Sequence, residues 1–268
     1  MGSRIVALCV ALTLAVAVPF LARAQGGAAA KRETVEKKKR PVRSARLEPS
    51  EARSSRAQRL PWPKHWPKIR WWEYPLAAAG FGILAYVQFG THTSFRARWE
   101  GGILFDDGLR DGLRLSTRSG REAADLASDI FWGIAWAMPL VDMVVVPALD
   151  KNGTLFWQLA WMNAMVFGIV GATSRAMHKT TKRARPLMRG CAEEGPDYDK
   201  SCNGSPSDFF SGHTAMAAAA AGLTCVHHGF LPLYGRPWAD TGACVAAATS
   251  AAAVGLFRIM ADRHYTSS

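Results

Sequence analysis

At 268 residues the chain has room for one full domain and an appendage, and with 49% hydrophobic and 20% charged residues it is neither a disordered nor a collagen-like polymer. Its formal charge of +12 suggests a nucleic-acid binder only until it is divided along the chain. Residues 1–30 carry +2, residues 31–70 carry +10, and residues 71–268 set 17 basic against 17 acidic side chains, so the basic character belongs to a tail and no nucleic-acid partner is expected.

The first residues have the pattern of a secretory signal: Arg4 precedes an apolar stretch over 5–20, and Ala22-Arg23-Ala24 is a small-residue processing site. This predicts a signal peptide over 1–24 and export of the chain, with an uncleaved membrane anchor as the alternative. Residues 25–73 read as a basic linker with almost nothing apolar to bury before its end. No aromatic residue interleaves the basic ones before Trp62, as stacking on bases would require. The expected partner of this tail is therefore anionic lipid or a cell-wall polymer, and a solvated spacer is the alternative. At the end of the linker Trp62, Trp66, Trp71 and Trp72 alternate with Lys64, Lys68 and Arg70, a composition suited to a membrane interface.

Residues 74–95 and 152–174 contain no Asp, Glu, Lys or Arg, and each is long enough for a span of about 20 residues. Both are predicted to be transmembrane helices. Residues 130–149 are nearly as apolar but carry Asp142, while 212–226 and 241–257 are Ala-rich and short; these three read either as spans or as buried helices. Gly- and Pro-rich breaks separate the segments and few period-two runs compete with them. An all-α bundle of about five core helices, embedded in a membrane, is predicted over residues 74–268.

Cys9 lies in the signal, which leaves Cys191, Cys202, Cys225 and Cys244. An even count in an exported chain implies disulfides, and of three possible pairings 191–202 and 225–244 are favoured. The first would close a short acidic loop and the second would join two apolar helices. No C-x-x-C pair is present and the histidines lie elsewhere, so no metal site is expected.

Three polar clusters punctuate the apolar helices between residues 178 and 264. The first runs from His178 through Lys179 and Lys182 to Arg185-Pro186; the second is Phe210-Ser211-Gly212-His213; the third is Arg258 followed six residues later by His264. Each has a bland reading as a basic helix end or a capped helix start. Ser211 is a natural N-cap, a helix start beside glycine offers free amides to an anion, and a histidine there can give a proton to a departing oxygen. Arg258 and His264 can touch one anion if the helix ends between them.

Taken in order, the three clusters resemble the type 2 phosphatidic acid phosphatase superfamily, which includes lipid phosphate phosphatases, bacterial acid phosphatases and vanadium haloperoxidases. Its pattern is K-x6-R-P, then P-S-G-H, then S-R-x5-H-x3-D. The resemblance covers roughly residues 74–268. It implies phosphate binding by Arg185, Arg258, the Ser211-Gly212 backbone and Lys179 or His178, nucleophilic catalysis by His264 through a phosphohistidine, and acid catalysis by His213. It also implies a lipid phosphate or diphosphate substrate and a site on the periplasmic side of an inner membrane, or a soluble periplasmic protein. No cofactor is implied, with vanadate able to act as a phosphate analogue. A soluble exported acid phosphatase or haloperoxidase-like enzyme, and a non-catalytic membrane-anchored binding protein, are the alternatives.

The chain departs from the pattern at four places. His178 stands where the family has Lys, with Lys179 and Lys182 as substitutes; Phe210 replaces Pro; Phe257 replaces Ser; and Ser268, where the sequence stops, stands in place of the Asp that orients the nucleophile. The last departure predicts an apparently truncated chain without its final helix, which binds phosphate-like anions but turns over poorly. Topology adds a conflict. A cleaved signal followed by spans at 74–95, 130–149 and 152–174 would leave Arg185 in the cytoplasm, whereas a Cys191–Cys202 disulfide needs an oxidising compartment; the cysteines are given more weight than the span count.

Overall fold

The computed structural model describes Trp62 and residues 66–90, 96–204 and 206–268, except for the side chain of Gln88. The predicted signal peptide and most of the predicted basic linker lie outside the described residues. Among those described the chain is all-helical, with one isolated bridge between Trp99 and Arg183. In chain order the helices are α1 (Glu73–Ala85), which continues into a π-helical turn (Tyr86–Gly90), α2 (Asp106–Leu113), α3 (Arg118–Leu149), α4 (Gly153–Thr181), α5 (Pro186–Glu194), α6 (Gly212–Phe230) and α7 (Pro237–Met260).

Local chemistry sets the helix limits. Thr117 caps α3 by accepting from the amide of Gly120 at 3.1 Å, and Asn152 caps α4 by accepting from Leu155 at 3.0 Å. Pro186 and Pro237 occupy the first turns of α5 and α7, where a missing N–H costs nothing. α3 runs through Pro139 and Pro147; Asn163 Nδ2 on α4 donates to the carbonyl of Pro139 at 3.0 Å.

α3, α6 and α7 pack on one another, α4 packs on α3 and α6, and α1 lies outside against α4. Ala135, Ala217, Ala220 and Val254 are fully buried at the centre, with Phe131, Trp132, Trp136 and Phe167 around them. The small residues let the helix axes approach closely, which replaces hydrophobic expulsion as the packing force in an apolar solvent. A second apolar cluster joins Val146, Leu155 and Leu159 to Leu231 and Leu233 at the other end, with Trp62 and Trp66 against it. Ile130, Ile134, Val141, Val144, Val145, Phe156, Trp157 and Ile169 point outward and exposed.

Three helices, α3, α4 and α7, are long and apolar enough to cross a membrane. Their exposed large apolar side chains suit lipid better than water. The predicted spans are thereby redistributed. The uncharged run 74–95 gives only the 13 residues of α1 plus a π turn, because lack of charge does not set helix length. The segment around 241–257 extends in both directions into the 24-residue α7. Asp142 does not interrupt α3, because its carboxylate is satisfied inside the bundle by His228 and Tyr234.

Chain direction fixes the two ends of the bundle. The tops of α3 and α6 meet the last turns of α4 and α7 at one end, where Asp125, Asp129, His178, His213 and Arg258 gather. α1 runs parallel to α4: Tyr74 Oη accepts from Trp157 Nε1 near their starts, and Arg98 N donates to the Lys182 carbonyl just past their ends. Disulfides join Cys191 of α5 to Cys202 and Cys225 of α6 to Cys244 of α7.

Candidate active site

The site grows from four helix ends. At the start of α6 the N-cap Ser211 Oγ accepts from the Thr214 amide at 3.3 Å and the Thr214 hydroxyl at 3.0 Å, which leaves the first amides of the helix, those of Gly212 and His213, at its open end. A Cβ at Gly212 would stand 3.3 Å from Ser174 Oγ and 3.9 Å from His178 Cε1, so glycine lets α6 begin directly against α4. His213 faces α3: its Nε2 lies 3.3 Å from Asp129 Oδ1 and its ring packs on Trp132.

The end of α7 explains how Arg258 and His264 converge. Asp262 takes the left-handed conformation at φ 58°, and the Arg263 amide closes back onto the Arg258 carbonyl at 2.9 Å, the hydrogen bond of a Schellman turn. Glycine is the usual residue there. Asp262 holds the position because both its oxygens receive the Arg110 guanidinium, at 2.7 and 2.8 Å, and one also receives the Tyr198 hydroxyl at 2.7 Å. The chain thus reverses and carries His264 into the interior, where Arg185 and Arg258 are the charges that act most strongly on its ring.

His264 Nδ1 lies 2.9 Å from the Asp208 carbonyl oxygen and 3.1 Å from Asp208 Oδ1. Both partners only accept, so Nδ1 carries the proton and Nε2 the lone pair. Burial, followed by the charges of Arg185, Arg258 and His178, holds the imidazole well below its ordinary value and keeps it neutral. The expectation that this histidine lacks an orienting carboxylate therefore fails. The segment leading into α6 folds across 56 residues of sequence to supply one, and an Asp three positions before Ser211 was the sequence signal that was missed.

No family model matches the chain, and neither a curated protein nor a solved structure is significantly similar to it. What the site can do is therefore read from its own groups.

Arg185 and Arg258 each bury a guanidinium Nε that has no hydrogen-bond partner among the described residues. Arg258 spends one terminal nitrogen on Asp125 at 2.7 Å. The guanidinium of Arg185, at the start of α5, has no ion pair and no hydrogen bond among the described residues; burial and then the charge of Arg263 pull it below the usual guanidinium range. Donors left unpaired in the interior are costly and fit an anion with several oxygens. The charges around them are arranged differently. Asp125 is shared by Arg258 and Arg263, whose second partner is Asp199 at 3.0 Å. Arg183 is sandwiched between Trp99 and Tyr265 and pairs with both Asp106 and Asp208.

His178 is brought to the site, though in a role other than that of a phosphate donor. Its Nε2 donates to the Phe210 carbonyl at 2.7 Å, which steadies the loop before Ser211, and its buried Nδ1 is left as an acceptor without a partner among the described residues. Lys179 lies in the last turn of α4, and Lys182 ends that helix in the left-handed conformation. Asp125 and Asp129, absent from the predicted set, lie just before the apolar stretch 130–149, on the first turns of α3, which begins at Arg118.

Proposed function

We propose that the chain is a membrane phosphatase that hydrolyses a lipid phosphate or diphosphate through a phosphohistidine on His264. The observation that carries this reading is the meeting of a neutral, oriented imidazole with two guanidinium groups, those of Arg185 and Arg258, each of which buries an Nε that has no partner among the described residues. A nucleophile needs a lone pair aimed at phosphorus, and the three equatorial oxygens of the transferring group need donors that do not have to be reorganised.

In this mechanism His264 Nε2 attacks phosphorus as the bond to the leaving oxygen breaks. Arg185, Arg258 and the amides of Gly212 and His213 take the charge that spreads over the equatorial oxygens. His213, held by Asp129, gives its proton to the departing alkoxide or phosphate. The same histidine then accepts a proton from the water that attacks the phosphohistidine, which releases phosphate and restores the neutral ring of His264.

Membrane-spanning helices that end at the site support a substrate with an apolar tail. The Cys191–Cys202 disulfide ties α5 to the loop that follows it at the same end and supports a site facing an oxidising compartment, the periplasmic side of an inner membrane. The test is phosphate release from phosphatidate and from an isoprenyl diphosphate by the full chain in detergent. Turnover that disappears with His264→Ala supports the reading. Wild-type chain that releases no more phosphate than His264→Ala, while its basic tail still binds anionic vesicles, would favour the binding-protein alternative.

A further inference from the structure

We propose that Asp208 is the positioning residue of His264, a carboxylate supplied by the segment that enters α6, while Ser268 stands at the position where the Asp was expected. The inference rests on the phosphatase reading and says what makes its nucleophile competent.

Three observations carry it. Asp208 is fully buried, and both its carbonyl and its Oδ1 face the same ring nitrogen of His264. Its second oxygen, Oδ2, accepts from Ser268 Oγ at 2.6 Å and lies 3.2 Å from Arg183 Nε. The Tyr265 amide also reaches Oδ1, at 3.3 Å, and the Asp208 amide donates to the Arg183 carbonyl at 3.1 Å. The carboxylate is thus fixed from the α4–α5 connection on one side and from the segment after α7 on the other, and cannot turn away from the imidazole. Ser268, at the position where an orienting Asp was expected, acts one step removed by holding Asp208.

The physical role is twofold. Accepting from Nδ1–H fixes the tautomer that leaves Nε2 nucleophilic, and the negative charge steadies the ring when it becomes cationic on taking the phosphoryl group. Asp208 also lies within reach of the charges of Arg183 and Arg185 and affects His178 of α4, while Asp106 of α2 shares Arg183 with it. Burial pushes its carboxyl up to about 6 against the Ser268 hydrogen bond and the Arg183 charge, so the positioning carboxylate titrates in the working range.

The experiment compares the full-length chain with Asp208→Asn, Asp208→Glu and His264→Ala, measuring phosphate release from phosphatidate micelles between pH 4.5 and 8 in parallel with vanadate inhibition. Asp208→Asn is expected to lower kcat by roughly 10²-fold or more, by analogy with loss of an orienting carboxylate elsewhere. Its KM and vanadate inhibition constant should stay within about threefold, and the acid limb of the rate profile should vanish. Asp208→Glu should recover at least about tenfold of the loss and restore that limb, as a charge-dependent role requires. Asp208→Asn with wild-type kcat and an unchanged acid limb overturns the proposal while leaving the phosphatase reading intact, provided His264→Ala is inactive. Loss of kcat and vanadate inhibition together in both Asp208 variants assigns the residue to folding alone and also overturns it. Wild-type activity no greater than that of His264→Ala removes the phosphatase reading itself.

Discussion

The bundle buries a histidine against aspartate at each of its two ends, and the two arrangements differ in what they leave free. At one end His264 spends only Nδ1 on Asp208, with Arg185 and Arg258 as the charges that act most strongly on its ring. At the other, about 22 Å from His213 along α6 at 1.5 Å per residue, His228 spends both nitrogens: Nδ1 lies 2.7 Å from Asp240 and Nε2 3.0 Å from Asp142, whose other oxygen receives the Tyr234 hydroxyl. With a carboxylate on each side the His228 ring donates twice and has no lone pair to offer. Burial and a carboxylate neighbour are common to both histidines; the unspent nitrogen is what separates a ring with a lone pair to offer from a staple joining α3, α6 and α7.

The comparison breaks most sharply under alanine substitution. His264→Ala is expected to lower phosphate release by about 10⁴-fold or more, as removal of a nucleophile does, with thermal unfolding in detergent little changed. His228→Ala should do the reverse: it strands Asp142 and Asp240 as buried, uncompensated carboxylates, at a cost of about 3–5 kcal/mol, while the folded fraction retains wild-type kcat. A His228→Ala variant that folds normally but loses turnover would merge the two roles.

Arg185→Ala comes next in size. Removing one preorganised donor costs roughly 10²- to 10³-fold in turnover, and vanadate inhibition should weaken with it because the guanidinium has no carboxylate partner among the described residues. Arg110→Ala, by contrast, strips Asp262 of its fork and is read out by unfolding, since that pair shapes the turn after α7 and faces no substrate.

The chemical end was partly legible in the sequence, for a physical reason. Arg185, Ser211-Gly212-His213 and Arg258 with His264 sit at helix ends, where short-range spacing determines what can meet. Asp208 and the Asp125–Asp129 pair were not legible as partners, because their contacts are made across 56 and more than 80 residues and depend on how helices pack. The all-α architecture followed from uncharged runs separated by breakers. Helix lengths did not: α1 stops short of its apolar run, whereas α7 outruns its own because Pro237 fits a first turn and Asp240 is satisfied by His228 and the Tyr234 amide. The same satisfaction lets α3 carry Asp142 through a span.

A smaller effect concerns pH. With Asp208 needed as carboxylate and titrating at about 6, kcat/KM should fall as pH drops through 6. His213 is held below its ordinary value by burial and then by the charge of Arg258, so its proton is lost at a lower pH than that of an ordinary imidazole, and the rate falls again on the alkaline side. A bell-shaped profile is expected, and Asp208→Asn should flatten its acid side only. His228→Asn should leave the shape of the profile unaltered. The smallest expected change is that of Ser211→Ala, which removes the cap of α6 at about 1 kcal/mol and loosens the amides of Gly212 and His213.

The most direct measurement is to trap the intermediate. The full-length chain is mixed with phosphatidate labelled in its phosphate, quenched in alkali, where phosphohistidine survives, and mapped by peptide mass spectrometry. The account predicts label on the peptide containing His264, none in His264→Ala, and less in Asp208→Asn. Label on another residue, or phosphate release by the wild-type chain without labelled histidine at any time point, would contradict it.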